Sequence, residues 1–276
     1  MSELVFDTRS ITPVDLQAAP HSSRLDLERL LPLLRAPDSG GPLMFTQDKN
    51  ALTDGEVLYP IVGGCPVLYP QDVADLLDGS AEIFAKHIGS RRQYFQISKI
   101  KQSGDITAPP SNIHAQRHLF RMSEFTRELA GIVLDVGCDD VFVSSALYTP
   151  SCQFVGLDPF CNLGGFRLIG VGEALPCQTE SIDNVVFNTS LDHILDYFEG
   201  LKEAHRVLKP GGSMVISTLI WTGNSSLLND DVHFHHFKDF EIIGAIRALN
   251  FKVIKQKNFS YKDDINRHGL YITVQK

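Results

Sequence analysis

Apolar and polar positions divide the chain into two regimes that meet near residue 126. From 131 onward, short apolar runs of strand length alternate with stretches of helical period. Strands are predicted at 131–136, 152–157, 166–170, 183–188, 213–219, 251–258 and 269–275, with helices at about 141–148, 196–208 and 238–249. Strands apolar on both faces, with helices between them, call for a mainly parallel sheet covered on both sides. Lys209-Pro210-Gly211-Gly212 reads as a helix stop that turns the chain into the next strand. A short polar loop without a helix joins the last two strands, so one antiparallel edge strand is expected.

Before residue 126 the pattern is less regular. Residues 1–24, with Pro13 and Pro20, read as a loosely held polar arm. A small α+β module is expected over 25–72. It opens with a helical stretch from Leu25 to Leu34 and closes with two strand-like runs, 57–62 and 65–69, joined at Gly63-Gly64. Residues 73–125 read as a helical connector interrupted by a polar stretch with Pro109-Pro110.

Charge and cysteine usage narrow the partners. The 25 Lys and Arg against 33 Asp and Glu give a net charge of −8, which argues against a broad phosphate-binding face and so against nucleic acid. No apolar run approaches a membrane span, so no membrane association is expected. The five cysteines are odd in number and lack a C-x-x-C pair. Free thiols in a cytoplasmic protein, with no metal site, are the expectation. A homodimer through the N-terminal module is left open.

The candidate chemistry lies in Gly131-Ile132-Val133-Leu134-Asp135-Val136-Gly137, a buried strand running into a glycine turn, with Asp158 closing the next strand. That is the grammar of a nucleotide crevice, in which the turn admits a ligand to the backbone and the later carboxylate takes ribose hydroxyls. Asp139 and Val141 stand where such a turn usually carries two further glycines. Were Asp139 to face a ligand carboxylate at ~4 Å, an effective dielectric of ~20 would give roughly 4 kcal/mol of repulsion. Turned outward as a helix N-cap, it would do little harm.

Four ordered segments then carry a resemblance: Leu134-Asp135-Val136-Gly137-Cys138, Val155-Gly156-Leu157-Asp158-Pro159, Gly172-Glu173-Ala174-Leu175-Pro176, and Glu203-Ala204-His205-Arg206-Val207-Leu208-Lys209-Pro210-Gly211-Gly212. Together they resemble the class I S-adenosylmethionine-dependent methyltransferases, over about 126–276. The resemblance implies a seven-stranded, mainly parallel Rossmann-like α/β sheet with helices on both faces, beside the small N-terminal α+β module. It implies S-adenosylmethionine as cofactor, with Asp135 and Gly137 at its methionine end and Asp158 on the ribose. Glu173 and Ala174 would lie near the adenine, and Asn188 under the methyl-transfer chamber.

The module at 25–72 resembles the small zinc-ribbon proteins that activate methyltransferases. Ala36 and Ser39 occupy the places of two metal ligands, which implies a metal-free scaffold.

Acceptor chemistry has three candidates. His193, just past the fourth strand, reads as a general base that Asp192 orients; the alternative is a helix cap and a packed surface histidine. His233, in an H-x-H-H cluster with His235 and His236, reads as part of a substrate lid. No carboxylate or thiolate in view completes a metal set with it. His114 and His118, beside Arg117 and Arg121, line an acidic pocket or form a solvated helix face. The expected activity is methyl transfer to an oxygen or nitrogen of a small-molecule acceptor, a saccharide or secondary metabolite. The alternative is a methyltransferase-shaped, non-catalytic scaffold or regulatory subunit.

Overall fold

The computed structural model describes residues 4–5, 23–73, 113–138, 144, 147–159, 166–222, 233–261 and 264–276. Its first part holds β1 (Leu4–Val5), β2 (Ser23–Arg24), α1 (Leu27–Leu30), β3 (Met44–Phe45), β4 (Ala51–Thr53), β5 (Leu58–Val62) and β6 (Cys65–Pro66). After these come α2 (Ile113–Thr126), β7 (Gly131–Val136), β8 (Cys152–Asp158), β9 (Leu168–Ile169), β10 (Ile182–Asn188) and α3 (Tyr197–Val207). The chain ends with β11 (Leu208–Trp221), α4 (Asp239–Ala248), β12 (Lys252–Tyr261) and β13 (Asp264–Gln275).

All seven strands predicted after residue 126 form, within one sheet of order β1-β12-β13-β11-β10-β7-β8-β2, with β9 also beside β8. β7, β8, β10 and β11 run parallel, and β13 is antiparallel to both β11 and β12. The antiparallel strand is therefore interior, which corrects the expected edge position. The outer flank of β12 is taken by β1, and Ser23–Arg24 pairs with Gln153–Phe154 at the other end. Two pieces of the arm over 1–24 thus contribute strands, where an irregular segment was expected.

The helix stop is also displaced. α3 ends at Val207, and β11 begins at once with Leu208 and runs through Pro210 and the glycines. Pro210 is tolerated because its neighbours pair elsewhere: Gly211 donates to the Lys276 carbonyl, and Lys276 donates to that of Gly212.

The alternation of side chains along β7 sets up two cores. Leu134 and Val136 enter the larger, with Leu201, Ala204 and Val207 of α3 and Ile242 and Ile246 of α4. Val133 enters the smaller, where Leu119, Met122 and Phe125 of α2 pack on Val186, Val215 and Tyr271. α2 therefore covers one face of the sheet, where a connector was expected. Among the described residues no helix is long and apolar enough to cross a membrane.

Residues 25–72 contain a four-stranded antiparallel sheet, β3-β4-β5-β6. Gly63 and Gly64, at φ 58° and 83°, make the two-residue turn of the final hairpin, as the sequence suggests. Leu30, Leu34, Leu52 and Leu68 of this segment join the larger core. At the positions read as lost metal ligands, Ala36 is buried and the Ser39 hydroxyl donates to Asp54 at 2.5 Å. The Leu68 amide donates to Ile169 at 2.7 Å, and Arg35 and Gln178 exchange backbone bonds with Pro176 and Leu33. The module forms its own sheet, joined to the main one by these bonds and by the shared core.

Candidate active site

The parallel strands β7, β8, β10 and β11 present their carboxyl ends on one side, the usual place for a ligand on an open α/β sheet. β7 and β10 lie side by side there, Asp135 opposite Val186 and Val136 opposite Phe187. Gly137 follows at φ +76°, and a Cβ built on it would lie 2.4 Å from Cβ of Ser190. The Ser190 hydroxyl donates to the Val136 carbonyl, so the chain leaving β10 folds back across the first turn. Gly156 is held by a neighbour in the same way: its Cβ would meet Cys138 Sγ at 2.4 Å. Cys138 is thus a packing residue.

Asp135 is fully buried; Oδ2 accepts from the Tyr148 hydroxyl at 2.7 Å, while Oδ1 has no hydrogen-bond partner among the described residues. Burial pushes this carboxyl up to about 7, the Tyr148 bond and the nearby Ser144 hydroxyl oppose the shift, and the charge of Asp158 adds to it. An unfolded aspartate titrates near ~3.9. Between about pH 4 and 7 the folded protein therefore holds a proton that the unfolded chain has released. The stability contributed here is full below ~4 and is lost as pH rises through about 7, a change of roughly 4 kcal/mol. In the absence of ligand, urea unfolding at pH 5 and pH 8 is expected to show most of this loss, about 3 kcal/mol, in the wild type and not in Asp135→Asn. Identical pH slopes for the two proteins would refute it.

Asp158 is buried at the end of β8, its carbonyl accepting from the Gly170 amide. Asp139 and Val141 lie outside the described residues, as does the segment 223–232. Glu173 and Ala174 sit in a short turn, Gly172–Ala174. Oε1 of Glu173 accepts from the Leu195 amide at 2.7 Å and the Asp196 amide at 3.3 Å, which clamps the segment after β10. Burial raises the pKa of Glu173.

Asn188 ends β10 and is followed by Thr189 at φ +54°, a conformation rarely adopted by a β-branched residue. Such strain, of order 1–3 kcal/mol, persists where its surroundings over-determine it. Here the Thr189 amide donates to both the carbonyl and the hydroxyl of Ser217.

Oδ1 of Asn188 accepts from Ser217 Oγ at 3.2 Å and lies 2.7 Å from His118 Nε2. The other nitrogen of His118 lies 2.7 Å from the Tyr271 hydroxyl. A consistent proton assignment runs from Tyr271 to Nδ1 and from Nε2–H to Asn188. Burial lowers the His118 pKa and so favours this neutral ring. The network reaches Asn188 from α2 and orients its amide. His118 is therefore committed to this network and is not part of a solvated helix face; the contact spans 70 positions and has no local sequence signal. The side chain of His114 lies outside the described residues.

The acceptor candidates converge. Leu191–His193 forms a short turn in which Asp192 is buried. Its backbone carbonyl accepts from the amides of Phe234, at 2.9 Å, and His235, at 3.2 Å, which brings the H-x-H-H segment alongside. His233 Nε2 then lies 3.8 Å from Asp192 Oδ2, and the His193 and His233 rings stack with centroids 4.8 Å apart. Asp192 Oδ1 has no hydrogen-bond partner. Burial raises the Asp192 pKa, against the opposing pull of His193 and His233. His235 is turned away, Nε2 donating to the carbonyls of Ile194 and Leu195, and His236 stacks on Trp221 at 4.0 Å.

Residues 134–216 match the family described as "Methyltransferase domain". The chain is 31% identical over 149 residues to "Ribosomal RNA-processing protein 8" of Rattus norvegicus, an alignment covering 52% of this chain and 26% of that protein. It is 30% identical over 134 residues to "Ubiquinone/menaquinone biosynthesis C-methyltransferase UbiE" of Geotalea daltonii, covering 42% and 57%. The chain thus spans less than two thirds of the length of these curated relatives. The crystal structure of the cyclase SpnF shares the fold at a TM-score of 0.51 and 14% identity, over 68% of this chain and 96% of that one.

Proposed function

We propose that this chain, whose residues 134–216 match a methyltransferase domain with S-adenosylmethionine as cofactor, methylates an oxygen or nitrogen of a small-molecule acceptor. The residues at the strand ends fit that cofactor. It carries positive charge on its ammonium and sulfonium, and the crevice offers two buried carboxylates, Asp135 with one oxygen lacking a partner. Asp135 and Gly137 would hold its methionine end and Asp158 its ribose. Ala174 would lie near the adenine, and Glu173 would act there by holding 195–196 in place. When bound, the cofactor supplies an electrophilic methyl group.

The observation that carries the acceptor class is the convergence of Asp192, His193 and His233 beside the end of β10. An oxygen or nitrogen that gains a methyl group must also lose its proton. An imidazole can take that proton, or a Lewis acid can weaken its bond, and both routes pass through this cluster. Asn188, oriented by His118, forms the floor. A saccharide or secondary metabolite hydroxyl suits such a polar end. We read the module at 25–72 as a metal-free scaffold, in which the Ser39–Asp54 bond closes the turn that ligands would otherwise hold.

The test is transfer of a labelled methyl group from S-adenosylmethionine to a panel of saccharide hydroxyls, phenols, amines and quinols, with products located by NMR. Methylation at oxygen or nitrogen is expected, with turnover falling roughly 10²–10⁴-fold in His193→Ala and His233→Ala. Carbon methylation of a quinol alone would overturn the acceptor class. No transfer in the panel, with Asp158→Ala leaving the fold and its partners unchanged, would favour a non-catalytic scaffold.

A further inference from the structure

We propose that Asp192, His193 and His233 form a site for one divalent first-row transition-metal ion, which presents an acceptor bearing two adjacent oxygens to the methyl donor. This deepens the methyl-transfer reading above and rests on it for the acceptor's role, though the metal site itself does not.

The donor set comes first. Two imidazoles and one carboxylate are the ligands that borderline divalent ions prefer, and three protein ligands leave positions open for a bound molecule. One ligand atom from each of the three residues falls within 4.8 Å of the others. Bonds of ~2.1 Å would place neighbouring ligand atoms about 3.0–3.4 Å apart. The rings therefore need to draw in by roughly 1 Å or more, within reach of side-chain torsions at two half-buried histidines.

The second observation is Asp192 itself. It is 1% exposed, its Oδ1 has no hydrogen-bond partner among the described residues, and Oδ2 stands 3.8 Å from His233 Nε2, too far for a hydrogen bond. A buried carboxylate with so little compensation is costly, and each such group in a native fold calls for an explanation. A cation between the carboxylate and the two rings supplies one.

The third is preorganisation. The two segments that carry the ligands are tied by backbone bonds from Phe234 and His235 to the Asp192 carbonyl, which need no metal. Trp221 stands edge-on to His233 at 6.1 Å and walls the cluster. The neighbouring positive group, Arg267, lies over the Trp221 ring at 5.0 Å. His235 is excluded as a fourth ligand through Nε2 by its two carbonyl bonds. Two open positions on such an ion suit a vicinal diol, an α-hydroxy acid or a catechol-like ring. Coordination there weakens the O–H bond of the accepting oxygen and fixes which oxygen faces the donor.

Cobalt(II) titration of the metal-stripped full chain, followed by visible absorption and calorimetry, tests this. One ion per chain is expected, with a dissociation constant below about 100 µM and a ligand-field band. His233→Ala, His193→Gln and Asp192→Asn should each weaken binding at least ~10-fold. His205→Ala, whose ring packs on Phe251, should leave it unchanged. No binding to about 1 mM, or wild-type affinity in both histidine variants, overturns the site. Should Asp192→Asn fail to fold, the histidine variants decide. Titration of the same preparation with S-adenosylhomocysteine separates the two readings. Cofactor binding without cobalt binding sinks the metal site alone, and the converse sinks the methyl-transfer reading alone.

Discussion

Glu203→Ala is expected to destabilise the protein by about 3 kcal/mol. Glu203 lies on α3 with a side chain only 11% exposed. Oε2 accepts from the Leu175 amide at 2.9 Å and from Arg206 at 2.7 Å, while Oε1 accepts from Arg206 at 2.6 Å. A longer contact of 3.5 Å reaches Arg35, which carries the link to the N-terminal module. Arg206 continues the chain of bonds to the carbonyls of Cys177 and Leu175. Alanine would leave a buried amide unsatisfied and a guanidinium without its counter-charge. Breaking a buried pair costs about 3–5 kcal/mol, and the partial exposure of Arg206 places this case near the lower bound. In a chain of this length the loss is roughly 6–12 °C in Tm. Lys202→Ala, which removes the exposed pair with Glu199 one residue away, should leave stability close to that of the wild type. Comparable losses in the two variants would refute the assignment.

Gly137→Ala should cost a comparable amount, about 2–5 kcal/mol, and should also weaken cofactor binding. Two terms add. The left-handed φ of +76° penalises any side chain by roughly 1–2 kcal/mol, and a methyl group 2.4 Å from Ser190 Cβ adds overpacking of about 1–3 kcal/mol. Ser190 begins the segment that carries Asp192 and His193, so its displacement moves the acceptor end with the donor end. We expect affinity for S-adenosylhomocysteine to fall at least ~10-fold. Gly211→Ala isolates the backbone term, because Gly211 has φ +78° and nothing within 4 Å of its Cβ position. A double variant, Gly137→Ala with Ser190→Gly, should recover part of the loss, since contacting residues couple by about 0.5–3 kcal/mol. If Gly137→Ala proves no worse than Gly211→Ala, the glycine is not held by Ser190.

The strands after residue 131 were legible because parallel strands buried on both faces leave unbroken apolar runs, and β7, β8 and β10 kept their predicted limits to within a residue or two. What failed depended on the partner across the sheet. Leu4–Val5 and Ser23–Arg24 are too short to show a period and exist because an edge was open beside them. β13 became interior because β12, pairing on its far side, carries β1 beyond it. β11 started at Leu208 since the Lys276 backbone meets Gly211 and Gly212.

Of the site, Asp192, His193 and His233 could each be suspected from position, but their union could not. It depends on two backbone bonds across some 40 residues of chain. His118 was misjudged for the same reason, its partners being at 188 and 271. Glu173 was found by motif, and its carboxylate turned out to clamp the loop at 195–196.

The central claim is that the crevice formed by Asp135, Gly137 and Asp158 accepts the methyl donor, and calorimetric titration of the purified chain with S-adenosylhomocysteine measures it directly. The account predicts one site per chain in the micromolar range, weakened at least ~10-fold by Asp158→Ala. A folded wild-type protein that takes up no ligand at about 1 mM would contradict it.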